Sequence, residues 1–159
     1  MKITILCVGK IKEKFYRDAI DEYAKRLSKY CKLEIIEVAD EKTPDKATSL
    51  IEENIKKKEG ERLLLRLKED SYVCTLEIGG KEYDSLSFAS FIEKAGINGK
   101  SHITFIIGGS LGLSDEVSAK ADCKISFSKM TFPHQLMRVI LSEQIYRGFR
   151  IINNEPYHK

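Results

Sequence analysis

The stretch Ser126-Phe-Ser-Lys-Met-Thr-Phe-Pro-His-Gln135 runs straight into Leu136-Met-Arg-Val-Ile-Leu-Ser-Glu-Gln-Ile-Tyr-Arg147. It reads as the end of a strand, a loop and the start of a helix. Ile125 and Phe127 belong to a short apolar run, predicted as a strand over 124–127. Pro133 suits the first turn of a helix, where its missing N–H leaves no bond unmade. Few polar breaks follow, so the helix is expected over 133–152. The loop between sets free backbone N–H groups beside a helix N-terminus, a setting that suits a polar small molecule.

Upstream, strands and helices alternate. Ile3-Thr-Ile-Leu-Cys-Val8 reads as a buried strand closed by Gly9. A helix is expected over 13–30, with Ile20, Tyr23, Leu27 and Tyr30 on one face. Strands are expected over 33–38, 72–77 (ending near Gly79-Gly80) and 103–107 (ending at Gly108-Gly109). Thr43-Pro44-Asp45 reads as a turn leading into a helix with an apolar side of Leu50, Ile51 and Ile55. Gly60 is expected to bend or break that helix. Shorter helices are expected over 85–95 and, capped by Ser114, over 115–120. The pattern predicts an α/β fold with a mostly parallel sheet flanked by helices on both faces. A single domain over 1–159 is expected for this length.

The apolar fraction of 42% and charged fraction of 32% fit a soluble globular protein. Cys7, Cys31, Cys74 and Cys123 share no metal-type or CxxC spacing and read as buried, reduced thiols. No segment reads as a signal peptide or reaches membrane-spanning length. A cytoplasmic protein with no metal and no membrane contact is expected. Net charge is +3, concentrated late: residues 124–159 hold six basic and two acidic side chains. An anionic partner and a solvated basic face both fit that surplus.

The last helix is apolar on more than one side (Leu136, Met137, Val139, Ile140, Leu141, Ile145, Tyr146, Phe149). A second copy of the chain or a central place within one subunit would each cover it.

In open α/β sheets, ligands bind beyond the carboxyl ends of strands. Three such ends stand out: 76–80, 108–112 and 127–132. Together they offer backbone groups suited to an adenine edge and ribose. Neither a phosphate loop nor a dinucleotide fingerprint is present. Gly108-Gly-Ser-Leu-Gly112 matches the G-x-S-x-G nucleophile elbow, which keeps a serine hydrolase using Ser110 open. His134 in the first turn of the last helix reads as capping or packing, and His102 as an exposed residue before a strand.

Gly108-Gly-Ser-x-Gly, the 126–135 block, Glu143-Gln144-x-Tyr-Arg147 and the final Pro156-Tyr-His-Lys159 together resemble the RlmH family. The opening Met1-Lys-Ile-Thr-Ile-Leu-Cys-Val-Gly-Lys-Ile-Lys12 matches as well. These are ribosomal RNA methyltransferases of the SPOUT (α/β-knot) superfamily. The resemblance implies a C-terminal trefoil knot, a homodimer, and S-adenosylmethionine as methyl donor. It further implies methylation at N3 of a pseudouridine in a 23S rRNA stem-loop, at the subunit interface of the assembled ribosome. Carried onto this chain, the donor-binding positions are Leu76, Gly108, Phe127, Ser128, Lys129, Met130, Thr131 and Phe132. For catalysis, His158 or Tyr157 is expected near the target base, from the partner's tail. Arg138 is expected to hold a phosphate or a developing imide anion. Lys129, Arg147 and Arg150 are weaker candidates for RNA backbone contacts. A non-catalytic ribosome-binding factor is a third reading.

Overall fold

A computed structural model describes residues 1–159. The elements follow in the order β1 (Lys2–Val8), α1 (Lys14–Leu27), β2 (Lys32–Val38), α2 (Ser49–Leu64) and β3 (Tyr72–Glu82). Next come α3 (Ser85–Ile97), β4 (His102–Ile107), α4 (Asp115–Ala119), β5 (Cys123–Ser126) and α5 (His134–Ile152). All five strands join one sheet in the order β2-β1-β4-β3-β5, and every pairing is parallel.

The sheet is parallel because each strand returns through a helix, and such a sheet must be covered on both faces. β1 carries the consequence in its sequence. Ile3, Ile5 and Cys7 point to one face and Leu6 and Val8 to the other, and all five are buried. On the first face, Leu27 of α1, Phe88 and Ile92 of α3, and Leu141 and Ile145 of α5 complete the larger core. On the second, Leu63 of α2 and Val117 of α4 pack on Leu6, Val73 and Ile106. Each fully buried aliphatic side chain here contributes about 1.5–3 kcal/mol.

Helix α5 lies between α1 and α3. Two neighbours from its own chain therefore cover its flanks. Leu136, Val139 and Ile140, near its start, remain half-buried. Caps set the starts of α2, α3 and α4: Thr48, Asp84 and Ser114 accept from Ile51, Ser87 and Val117 backbone N–H groups. Pro133, the expected first residue of the helix, sits at the N-cap of α5, one residue before the observed start at His134.

Four local expectations are corrected. Helix α2 continues through Gly60, where a Cβ would come within 2.4 Å of the Ser114 hydroxyl. The glycine admits the α4 N-terminus against α2. Strand β3 does not stop near Gly79-Gly80 but reaches Glu82 through a register shift between Leu76 and Lys81. His102 is the first residue of β4 and is buried, not exposed. Its Nε2 lies 2.9 Å from the Thr4 hydroxyl on β1, which gives the ring a polar partner inside the sheet. The four cysteines are all free, and Cys123 is only half-buried. Burial pushes the Cys7 thiol up to about 12 and the Cys31 thiol up to about 11.

Candidate active site

The carboxyl ends of β3, β4 and β5 converge on a cavity of about 450 Å³. Its walls are residues 76–79, 107–113, 125–128 and 130–132, and His134 and Met137 of α5 complete them. Seven of the eight expected donor positions lie in these walls: Leu76, Gly108, Phe127, Ser128, Met130, Thr131 and Phe132. Lys129 is the exception. It is exposed and does not line the cavity.

The walls are shaped by backbone. A side chain at Gly108 would approach the Gly112 carbonyl carbon to 2.7 Å, so the turn after β4 closes only on glycine. Gly112 N–H donates to the Gly109 carbonyl at 3.1 Å and ties that turn. In the turn after β5, the Ser126 hydroxyl donates to the Ser128 carbonyl (3.1 Å) and the Ser128 hydroxyl accepts from Met130 N–H (3.0 Å). The apolar walls offer stacking and the turns offer hydrogen bonds, a combination suited to a nucleoside. Met130 is 73% exposed at the rim.

Behind the cavity stands Arg138, with 0% of its surface exposed. It donates to Glu37 Oε1, Val8 O and Gly9 O, each at 2.7 Å. Expected to hold a phosphate or an imide anion, Arg138 is placed with its Nη groups on Glu37, Val8 and Gly9. At this position α5 faces inward, and the guanidinium is committed to oxygens of its own chain. His134, expected to cap or pack, instead lines the cavity, with Nδ1 3.4 Å from Arg138 Nη2. Burial, then the Arg138 charge, lowers the imidazole pKa.

The tail is ordered against α5, not free. Glu143 Oε1 accepts from Arg147 Nε (3.0 Å), Arg147 Nη2 (2.6 Å) and the Tyr157 hydroxyl (3.1 Å). The Arg147 guanidinium lies 4.6 Å from the Tyr157 ring centre, and the Tyr157 ring meets Tyr146 edge-on at 4.9 Å. His158 Nδ1 is 3.5 Å from Arg147 Nη1 and the residue is exposed. Burial, then the Glu143 charge, pushes the Tyr157 phenol up to about 12. Docked in this way, Tyr157 is a hydrogen-bond donor rather than a base at neutral pH. Arg150 is tied to Glu155 at 2.5 Å. Tyr157 and His158 do not line the cavity of their own chain. Arg147 is ten residues beyond Met137, roughly 15 Å further along the helix.

Ser110 is exposed and sits in the turn closed by Gly109 and Gly112, with α4 starting only at Asp115. Its hydroxyl has no histidine beside it, since the cavity's one histidine faces Arg138. That is not the geometry of a strand-to-helix nucleophile elbow.

A family model described as "Predicted SPOUT methyltransferase" matches residues 1–158. Fold and cavity thus define a SPOUT-type methyltransferase. A Methanococcus maripaludis protein is 65% identical over 159 residues, covering the whole of both chains. Ribosomal RNA large subunit methyltransferase H of Clostridium beijerinckii is 59% identical over 159 residues, again covering 100% of each. Its Clostridium perfringens (strain SM101) counterpart, ribosomal RNA large subunit methyltransferase H 1, is 58% identical with the same coverage. The chain belongs to the RlmH family of SPOUT methyltransferases. Among solved structures, a probable methylase family protein from Haemophilus influenzae superposes with a TM-score of 0.54 at 13% identity. That match covers 99% of this chain and 70% of the other. Lpg2936 of Legionella pneumophila, solved with bound SAM, has a TM-score of 0.50 at 12% identity over 94% of this chain and 66% of the other. Both likenesses speak to the fold.

Proposed function

We propose that this protein transfers the methyl group of S-adenosylmethionine to N3 of a pseudouridine in a 23S rRNA stem-loop of the assembled ribosome, acting as a cytoplasmic homodimer. The observation that carries the reading is the cavity at three adjacent strand ends, in a chain whose full-length relatives are named ribosomal RNA large subunit methyltransferase H. Leu76, Gly108 and the Phe127–Phe132 turn hold the donor. Lys129 within that turn faces solvent and is assigned to RNA rather than to the donor. The C-terminal knot implied by the family is part of the same proposal.

The chemistry asks little of side chains at the donor. The sulfonium makes the methyl carbon electrophilic, so aligning N3 in line with the C–S bond supplies much of the rate, up to about 7–11 kcal/mol. The imide proton must leave N3, which calls for a base or a hydrogen-bond donor to the developing anion. His158 is the candidate base. Tyr157 and Arg147 beside it are donors.

The tail docks roughly 15 Å along α5 from the cavity of its own chain. A second subunit, seated on the half-buried Leu136, Val139 and Ile140, brings its own Tyr157 and His158 towards the cavity. Deleting residues 157–159 tests this. Methylation of ribosomes, read as rRNA mass, is expected to vanish while donor binding by calorimetry persists. Full methylation by the truncated protein would end the assignment of the tail. A wild-type protein that leaves rRNA mass unchanged would end the function.

A further inference from the structure

His134 is the only titratable imidazole in the cavity wall, and its ring is held from two sides. Arg138 has donors and no acceptor. Both Nη2 hydrogens go to the Val8 and Gly9 carbonyls, and Nη2 lies 3.4 Å from His134 Nδ1, so a proton on Nδ1 would point at a cation; the Nδ1 lone pair faces the guanidinium instead, and the ring proton goes to Nε2. Arg138 cannot turn away, because Glu37 Oε1, Val8 O and Gly9 O fix it. On the other side the ring rests on Gly9. Even a methyl group there would come within 3.2 Å of His134 Cε1, in a backbone with φ of +81° that itself favours glycine.

We propose that Arg138 locks His134 as the neutral Nε2–H tautomer, and that this N–H donates a hydrogen bond to the methyl donor bound in the cavity. The inference rests on the proposed donor site. Arg138 and Glu37 become positioning residues that act through His134. Charge argues the same way. The donor carries a sulfonium, and Arg138 already places one cation behind the ring. An imidazolium would add a third positive charge. The other charged groups that act on the ring are Asp40, after β2, which favours protonation, and Lys12, before α1, which opposes it. Glu77 of the cavity wall accepts instead from the Thr75 hydroxyl (2.6 Å) and the Ser118 hydroxyl (2.9 Å).

Nitrogen-15 NMR of the histidine rings in wild-type protein without donor, at pH 7, tests the lock. The expected result is one neutral ring protonated on Nε2, assigned to His134 by its loss in His134→Gln. A doubly protonated or Nδ1–H ring overturns the proposal. Calorimetry with S-adenosylmethionine tests the hydrogen bond. His134→Gln, whose amide reaches the Nε2 position, is expected to bind within about threefold of wild type. His134→Asn, whose amide stops near Nδ1, is expected to bind about tenfold more weakly, the size of one hydrogen bond. Equal affinity for both variants overturns it. Normal donor binding with the wrong tautomer sinks this inference alone. A wild-type protein that binds no donor sinks the donor site, and the hydrogen bond with it.

Discussion

Helix α5 carries Arg138 in its first half and Arg147 in its second, and these two are used in opposite ways. Arg138 is sealed inside, its guanidinium shared among three oxygens of β1 and β2 and the ring of His134. Arg147 reaches solvent with 25% of its side chain exposed, paired with Glu143 and covering Tyr157. Desolvation decides the difference. A buried arginine is tolerable when its charge is paired and most of its donors are met, as at Arg138, where both Nη groups donate and only Nε lacks a partner, so it becomes part of the frame. A half-exposed one keeps water as an alternative partner and is free to exchange contacts when another surface arrives. The inner half of the helix therefore shapes the cavity, and the outer half presents replaceable contacts.

The largest expected effect breaks the inner half. Arg138→Met should destabilise the fold by about 3 kcal/mol in urea titration, because Glu37 and two strand-end carbonyls lose their donor together. A change below 1 kcal/mol would place Arg138 on the same footing as Arg147. Gly108→Ala follows. Its methyl group meets backbone at 2.7 Å, so a cost of about 1–3 kcal/mol and a weakened grip on S-adenosylmethionine are expected by thermal melts and calorimetry. Unchanged binding would mean that the turn after β4 does not form the pocket.

Glu59 sharpens the comparison from the other side of the sheet. It is 4% exposed; one oxygen accepts from Glu41 N–H at 2.9 Å and the other has no partner. Burial raises its pKa above the ordinary carboxylate range. The folded form therefore holds its proton more tightly than the unfolded chain, and stability from this group is present at low pH and lost as pH rises through the folded value. Glu59→Gln should raise Tm by about 2–4 °C at pH 7.5, and the gain should shrink towards pH 4.5. A gain that grows on acidification would reverse the assignment. Smallest of all, Arg147→Ala should move stability by less than about 1 kcal/mol in the same urea titration, while loosening the Tyr157 ring enough to raise its fluorescence quenching by iodide. A loss as large as that of Arg138 would erase the contrast between the two halves.

Much of this architecture was readable from residues alone. The continuous apolar run of β1 and the strand–helix alternation led to the parallel sheet, and the strand-end rule led to the loops that wall the cavity. What escaped has physical reasons. A glycine in a helix reads as a break, yet Gly60 is there for a crossing contact that only the fold creates. Gly79-Gly80 reads as a strand end, but a glycine pair serves a register shift equally well. His102 found its partner on another strand, 98 residues away. Nothing local marks Arg138 as buried, since its acceptors come from β1 and β2, more than 100 residues earlier. His134 could be placed on its helix from sequence, but not at a cavity assembled from three distant turns.

The central place of α5 in its layer sets the order of events during synthesis. α1 and α3 emerge first and flank a gap, leaving Phe88, Ile92 and Leu27 without their cover until residues 134–152 have been made. Closure depends on pairings far apart along the chain, which slows folding and prolongs the exposure of apolar surface. Nascent molecules stalled before α5 should therefore be strong clients for holdase chaperones, and release from the ribosome, not translation of the first half, should mark the onset of protease resistance.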